Sequence, residues 1–378
     1  MKILTVLTYY RPHTSGLTIY AERLAEAFVK RGHEVTVLTS HFDKNSPNEE
    51  IVNGVRIVRA PVIFRISKGV IMPTLGLLAW KYVNECDVLH LHLPQFDAPG
   101  FAFRAKILGK KSMITYHCDL KLPSGLFNGL VNKVVDFQNW SAATFVDRIV
   151  TYTQDYADHS QFLSKFKSKL TPILPPVVLP EVDHQALSKF SQIKKGKIIG
   201  MATRFASEKG VEVLLSALPS VVERFPDVKV VFAGQYHNVM GEEAYYDRLA
   251  PEIERYNREG RWEFLGTLNP AQMNAFYQIL DVLVVPSLNS TEAFGLVQIE
   301  AMMNRVPCIA SALPGVRQPV LMHEMGLVTP IGDSVALAEA LIKILENPSE
   351  YQGDCDLIAS TYDPDHIAER FEKLLESF

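Results

Sequence analysis

At 378 residues, 47% hydrophobic and 21% charged with a formal net charge of −4, the chain has the make-up of a globular protein long enough for two ordinary α/β cores. Its mild acidity gives no global sign of nucleic-acid binding, and no uninterrupted apolar run reaches the roughly 18 residues that a membrane span requires. Cys86, Cys118, Cys308 and Cys355 show neither paired spacing nor a Cys-x-x-Cys, which argues against disulfides and a structural zinc and for a reducing cytoplasm.

The opening run Met1-Lys-Ile-Leu-Thr-Val-Leu-Thr8 is short and no small-residue cleavage site follows it, so it reads as a first strand, not a signal peptide. A Pro/Gly loop (residues 11–16), an amphipathic helix over about 18–31 and a β run at 33–39 complete a βαβ unit. Further β runs at 55–60, 87–92, 112–116 and 148–152, with helical patterns at about 98–109 and 126–146, extend a parallel sheet wrapped by helices. Thr171-Pro-Ile-Leu-Pro-Pro-Val-Val-Leu-Pro180 then places four prolines in ten residues, which marks a linker and a domain boundary. Beyond it, β runs at 197–203, 228–233, 262–265, 282–285 and 306–310 alternate with helices and predict a second doubly wound sheet. The last segment, from Pro364, predicts an amphipathic helix with Ile367, Phe371, Leu374 and Leu375 on one face, suited to packing on the first domain.

Two loops of the second half carry the chemistry. Leu283-Val-Val-Pro-Ser287 reads as a strand, and Asn289-Ser-Thr-Glu-Ala-Phe-Gly-Leu296 leads from its carboxyl end into a helix, where free amide groups around Phe294–Val297 offer an anion site. Glu292 lies in that loop, and Glu300, eight residues later, lies inside an apolar helix between Ile299 and Ala301. A carboxylate there is costly without a partner, and a ribose with two adjacent hydroxyls would be one; a solvent-facing side chain or a pair with Arg305 is the plain alternative. Glu292 either accepts from sugar hydroxyls or is a simple loop carboxylate. Arg204 and Lys209 flank the loop between the strand Lys197–Thr203 and the helix from Val211. Two cations beside a helix N-terminus oppose its dipole, a conflict that a diphosphate would resolve, the alternative being solvated surface charges.

In the first half, His117 ends the strand Ser112–Tyr116 and is either a site residue or a buried histidine satisfied by backbone. Cys118 has no evident base partner and reads as inert. His90 and His92 share a strand face without a third ligand at suitable spacing and read as structural. No metal clamp on a diphosphate is indicated, and Arg204 with Lys209 can supply the charge a divalent ion would bring, so no metal and no cofactor is expected. The residues Leu126, Leu130, Val134 and Phe137 form one helical stripe within segment 122–140. That segment and the basic segment 55–68 either dock on anionic lipid or, the preferred reading for the stripe, pack on the N-terminal sheet.

The pairing of Arg204…Lys209 with Glu292-Ala-Phe-Gly-Leu…Glu300-Ala-Met resembles family four of the retaining glycosyltransferases of GT-B fold. Tyr9-Tyr-Arg-Pro12…Ser15-Gly16, Arg31-Gly-His-Glu-Val35, Asp87-Val-Leu-His-Leu-His92 and Thr115-Tyr-His-Cys-Asp119 agree, so the likeness spans nearly the whole chain. It departs at Ser15-Gly16, where many relatives have two glycines, and at Pro175-Pro176-Val177, where many have Asn-Gly-Val-Asp. The resemblance implies an α/β GT-B fold of two facing Rossmann-like doubly wound domains with an interdomain cleft. The acceptor-side domain would span 1–175 plus a helix at about 363–378, and the donor domain 181–362. Function would be metal-independent, retaining transfer of a hexose from a nucleotide-diphosphate sugar to a glycan, lipid-linked or small-molecule acceptor, in polysaccharide or glycolipid biosynthesis. A sugar-nucleotide epimerase of the same architecture is the rival. Position by position, Arg204 and Lys209 would hold the diphosphate and Glu300 the ribose. The backbone of Ala293, Phe294, Gly295 and Leu296 would hold sugar and phosphate, with Glu292 on the sugar hydroxyls and Leu268 near the base. Gly16 would admit the donor closely, His117 would face the sugar, and Asp119 and Asp97 are candidate acceptor bases. The enzyme would be cytoplasmic, or peripheral at the inner face of the membrane, with no nucleic-acid partner.

Overall fold

In the computed structural model, which describes residues 1–66, 69–120 and 126–378, the chain divides into one unit of Met1–Val177 with Thr361–Phe378 and another of Val178–Ser360. Residues 67–68 and 122–125 of the two candidate membrane segments, and the side chain of Leu126 in the α4 stripe, lie outside the described residues. The proline-rich stretch 171–180 starts as the end of a strand, Leu170–Pro172, and then contains the crossing from one unit to the other, because Pro175, Pro176 and Pro180 lack the backbone donors a further strand or helix would need.

The first unit carries β1 (Lys2–Val6), α1 (Gly16–Lys30), β2 (Glu34–His41), β3 (Glu49–Val52), β4 (Val55–Pro61), a hairpin of β5 (Phe64–Ile66) and β6 (Gly69–Ile71), and α2 (Leu75–Glu85). It continues with β7 (Val88–Leu93), α3 (Ala98–Ile107), β8 (Lys111–Tyr116), α4 (Leu126–Phe145), β9 (Arg148–Thr151), α5 (Gln154–His159) and β10 (Leu170–Pro172). Eight strands form one sheet in the order β10-β9-β8-β7-β1-β2-β4-β3, parallel except for β3, which runs antiparallel to β4. Ile3 sits between Val35 of β2 and Val88 of β7, so strand order reverses beside β1. The Ser15 hydroxyl accepts from the Thr18 amide and starts α1.

The second unit holds α6 (His184–Ser191), β11 (Ile198–Ala202), α7 (Val211–Arg224), β12 (Lys229–Ala233), α8 (Glu243–Arg258), β13 (Trp262–Gly266), α9 (Pro270–Gln278) and β14 (Val282–Val285). α10 (Leu296–Met303), β15 (Cys308–Ser311), α11 (Gln318–His323), β16 (Gly326–Thr329), α12 (Ser334–Glu346) and α13 (Cys355–Thr361) follow. Its six-stranded sheet, β13-β12-β11-β14-β15-β16, is parallel throughout and reverses between β11 and β14. Ile199, Met201, Phe232 and Val284 of the sheet are buried together with Leu214 and Leu218 of α7 and Leu341 of α12. Each such side chain contributes about 1.5–3 kcal/mol on burial. The final helix, α14 (Pro364–Glu376), belongs to the first unit, where Phe371 meets Phe28 of α1 with ring centroids 6.1 Å apart.

Two readings of surface segments need correction. Packing of the α4 stripe on the sheet is not observed. Ala142 and Ala143 turn inward because their small side chains allow close approach, Asn139 accepts from the Gln95 amide at 3.3 Å, and Leu130, Val134 and Phe137 are left exposed. The basic segment is also not a free cationic surface, since Arg59 is buried in β4 and bonded to Glu50 of β3, and Arg56 is bonded to Glu49. Among the described residues no helix is long and apolar enough to cross a membrane.

Candidate functional site

In an open parallel sheet the loops at the carboxyl ends of two strands diverge where strand order reverses, and that crevice takes ligands. The two motif loops of the second unit follow β11 and β14, the strands on either side of its reversal. After β11, Thr203 and Phe205 donate backbone bonds to Ala233 and Gln235, and Phe205 is buried among Phe232, Tyr245 and Tyr246. Anchoring Phe205 leaves its neighbour Arg204 exposed on the other side of the chain. A short turn, Ser207–Lys209, ends at Gly210, whose φ of +69° puts the chain in the left-handed region. A Cβ there would lie 2.1 Å from the carbonyl oxygen of Pro286, so the first loop rests on the second at a distance only glycine permits. The Leu288 amide donates to the Glu208 carbonyl at 2.9 Å and ties the loops together.

These loops bring Lys209 and Glu292 into contact, Nζ to Oε2 at 2.5 Å with both side chains largely buried. Both line one cavity with Met201, Ala202, Thr203 and Val297. Arg204 is held by Glu208 at 2.6 Å, four residues on. Each cation expected at a diphosphate therefore already carries a carboxylate, which answers the dipole conflict read from the sequence with the chain's own anions. The side chains of Ala293 and Phe294 are buried in the core, so their backbone is what can meet a ligand. Gly295, at φ +80°, turns that backbone into α10. Gln298 fixes the turn by donating from Nε2 to the carbonyls of Phe294 and Val316, both at 2.9 Å. Glu300 is nearly buried, and one of its oxygens accepts from the Tyr277 hydroxyl at 2.8 Å. Leu268 does not line the Lys209 cavity; it borders a separate groove with Asp183, Lys189, Phe264, Thr267 and Gln272.

Gly16 and His117 belong to the first unit. A Cβ on Gly16 would meet no heavy atom within 4 Å, so the space beside it is open. His117 is buried and has partners at both ring nitrogens, His92 Nδ1 at 2.9 Å and the Tyr152 hydroxyl. The sequence alternative of a histidine satisfied by backbone is thus replaced by one satisfied through side chains. A consistent network has Tyr152 donating to Nδ1 of His117, whose Nε2–H donates to His92. Burial holds His90 and His117 down at about 3, with the His90 charge a lesser cause for His117. His92 lies well below the ordinary histidine value from burial first and its two histidine neighbours second. His90 donates to or accepts from Thr115 at 2.7 Å, so both strand histidines have structural partners.

Of the two candidate bases, Asp119 accepts from Tyr116 and Ser160, both at 2.8 Å, whereas burial raises Asp97 to about 6. Asp-x-Asp does occur outside the donor loops, at Asp354–Asp356 and Asp363–Asp365, where the leading aspartates cap helix starts. Among the described residues no three His, Cys, Asp or Glu side chains are grouped to hold a metal. Glu242, Tyr277, Gln298 and Tyr152 are the positioning groups absent from the sequence reading. Only Gln298, a buried amide within an apolar helix next to a glycine turn, carries a local signal that could have found it. Glu242 is itself buried and accepts from the Ser207 amide at 2.9 Å, holding the Arg204–Lys209 loop.

Comparison with known proteins adds to this geometry. The family model for glycosyl transferases group 1 matches residues 183–356, and that for glycosyltransferase family 4 matches residues 14–179. A phosphatidyl-myo-inositol mannosyltransferase of Mycobacterium leprae is 28% identical over 92% of this chain and 88% of its own length. The phosphatidylinositol N-acetylglucosaminyltransferase gpi3 subunit of Schizosaccharomyces pombe is 21% identical over 98% and 80%. Among solved structures, the Anabaena protein HepE in complex with UDP-glucose superposes with a TM-score of 0.77 at 18% identity, covering all of both chains. A sucrose-phosphate synthase from Thermosynechococcus elongatus gives 0.78 at 20%, covering 100% of this chain and 98% of its own. With both motif loops at a strand reversal and family models matching nearly end to end, the chain belongs to the GT-B glycosyltransferases of family four.

Proposed function

We propose that this glycosyltransferase moves a hexose from a nucleotide-diphosphate sugar to a lipid-linked or other carbohydrate acceptor, with retention at the anomeric carbon and without a metal. The observation that carries the reading is the Lys209–Glu292 pair beside the start of α10 at the β11/β14 reversal. An arriving diphosphate would take Lys209 and the α10 amides, and release Glu292 to accept from sugar hydroxyls. Breaking the bond from C1 to the phosphate oxygen sends its electron pair to the diphosphate. Arg204, Lys209 and the backbone of Ala293–Leu296 are suited to stabilising that charge as it forms. The acceptor oxygen bonds to C1 on the face the diphosphate leaves, and its proton goes to a carboxylate. Asp97 is the better suited of the two candidates, because a base raised to about 6 is poised near neutral pH.

Relatives named for mannosyl transfer to phosphatidyl-myo-inositol favour a lipid-linked acceptor. Neighbours solved with UDP and UDP-glucose support a nucleotide-sugar donor. The test is thermal-shift screening with UDP-, GDP-, ADP- and dTDP-sugars, followed by transfer assays in EDTA with anomeric analysis of the product. Turnover that stops in EDTA and returns with Mg²⁺ refutes metal independence, an inverted product refutes retention, and a new sugar nucleotide formed without acceptor points to the epimerase.

A further inference from the structure

Right-handed crossovers fix which face of the first sheet each helix covers. The β1-to-β2 step and the later steps β4-to-β7, β7-to-β8 and β8-to-β9 run in opposite directions across the sheet. Hence α1, with α14 packed on it, covers one face, while α2, α3 and α4 form a layer on the other, with α3 against both neighbours. The outer side of that layer is apolar. Leu77 and Trp80 of α2, Phe103 and Ile107 of α3, and Leu130 and Phe137 of α4 are all exposed, Leu77 at 77% and Phe137 at 63%. Contacts join neighbouring helices of the layer: the Arg104 guanidinium of α3 lies 5.0 Å from the Trp80 ring of α2 and Phe103 meets Phe145 of α4 at 5.4 Å, while within α4 Trp140 stacks beside Phe137 at 6.2 Å. Exposed Lys81, Lys106 and Lys133 stand among these side chains, against the acids Glu85 and Asp136.

We propose that the outer face of α2, α3 and α4 docks on an anionic lipid bilayer. Exposed apolar surface spread over three helices marks an interaction site, and aromatic and aliphatic side chains ringed by lysines suit the headgroup boundary. The cationic excess here sits on a chain of net charge −4, so this face is set apart from the rest in the sign an anionic surface attracts. A second copy of the chain fits worse, because a two-fold contact through this face would bring its own lysines together. The docking surface is thus the helix layer and not the basic segment 55–68, whose Arg56 and Arg59 are spent on β3. This deepens the lipid-acceptor reading and rests on it for its purpose, though not for its test.

Vesicles of phosphatidylcholine with phosphatidylglycerol, and vesicles of phosphatidylcholine alone, provide the probe. Of the three tryptophans, Trp80 and Trp140 lie in the patch and Trp262 is 1% exposed, so a blue shift of emission on adding vesicles reports this face. Binding and blue shift are expected with the anionic vesicles. Lys106→Ala with Lys133→Ala should lower affinity about five-fold for each charge removed, from roughly 1 kcal/mol per cation. Leu130→Glu with Phe137→Glu should abolish flotation while circular dichroism, thermal midpoint and donor binding stay as in the parent. Wild-type protein that stays in solution at low salt overturns the proposal, as does a double-Glu variant that still floats. A dimer that this variant splits into monomers assigns the face to a second copy and also overturns it. Vesicle binding without transfer to a lipid acceptor would leave the docking standing and sink the acceptor reading; transfer to a lipid acceptor dispersed in detergent, without vesicle binding, would do the reverse.

Discussion

Replacing Lys209 by Met tests the donor site most directly, because it removes one charge and keeps most of the stem's packing. If Nζ serves a phosphate oxygen at about 4 Å in a partly buried site, the attraction at an effective dielectric of about 20 is about 4 kcal/mol. Partial access to water trims this to about 3–4 kcal/mol, or roughly 10²–10³ in kcat/KM. Folding should lose far less. Glu292, about one-fifth exposed, can turn to water once its partner is gone, so the midpoint should reflect a loss of about 1 kcal/mol. The assay is acceptor-dependent release of nucleotide diphosphate at varied donor, alongside thermal unfolding of the same preparation. Glu292→Gln makes the complementary case: freed of its carboxylate, Lys209 should bind nucleoside diphosphate about five-fold tighter while transfer slows. A folded Lys209→Met enzyme within ten-fold of the parent, or a Glu292→Gln variant that binds diphosphate more weakly, would refute the exchange of partners.

Other perturbations act on the supporting groups. Tyr277→Phe removes a charge-assisted bond to Glu300 and should raise donor KM with little change in kcat, at a cost of about 1.5–3 kcal/mol in stability; unchanged KM removes Tyr277 as a positioning residue. His90 and His117, held near 3 in the fold, are stabilising as neutral groups above the unfolded value of 6.5. Urea unfolding should show stability falling as pH drops from 6.5 towards 3, and His92→Asn should flatten the decline; a parent stable to pH 4 contradicts the buried neutral cluster. Glu372 is held at about 2, chiefly by hydrogen bonds from Arg31 and secondarily by His33. Its contribution is present above about 4.5 and lost as pH falls towards 2. The shift alone would be about 3 kcal/mol, which solvent screening reduces to about 1, and Glu372→Gln should lower the neutral-pH midpoint by that amount.

The alternation of apolar runs with helical patterns made the second sheet legible, since Ile198–Ala202, Lys229–Ala233 and Val282–Val285 are short β-rich runs buried on both faces. The β3–β4 hairpin went unread although Asn53-Gly54 signals it, both residues having positive φ, because Glu49–Val52 is largely exposed and lacks an apolar face. The motif loops could be found as strand-to-helix loops, but the Lys209–Glu292 contact joins residues 83 positions apart and no local pattern encodes it. The same holds for Tyr152, His117 and His92, which three separate strand ends bring together. In α4 the apolar stripe was legible and its direction was not. Burial there was decided by Ala142 and Ala143, small enough to let the helix approach the sheet, and not by the larger apolar side chains.

The discontinuity of the first unit bears on how a ribosome delivers this protein. Residues 1–177 emerge first, then the whole second unit, and only afterwards α14, whose Phe371 lies against Phe28 and, at 5.6 Å, His90. A nascent chain stalled near residue 360 would hold all of the second unit and a first unit whose α1 still lacks the cover of Phe371. When Thr361–Phe378 arrives, its docking point is already marked, since the Val177 amide donates to the Tyr362 carbonyl at 2.8 Å. Translation order thus leaves residues 1–177 waiting for Thr361–Phe378 before their own core can close.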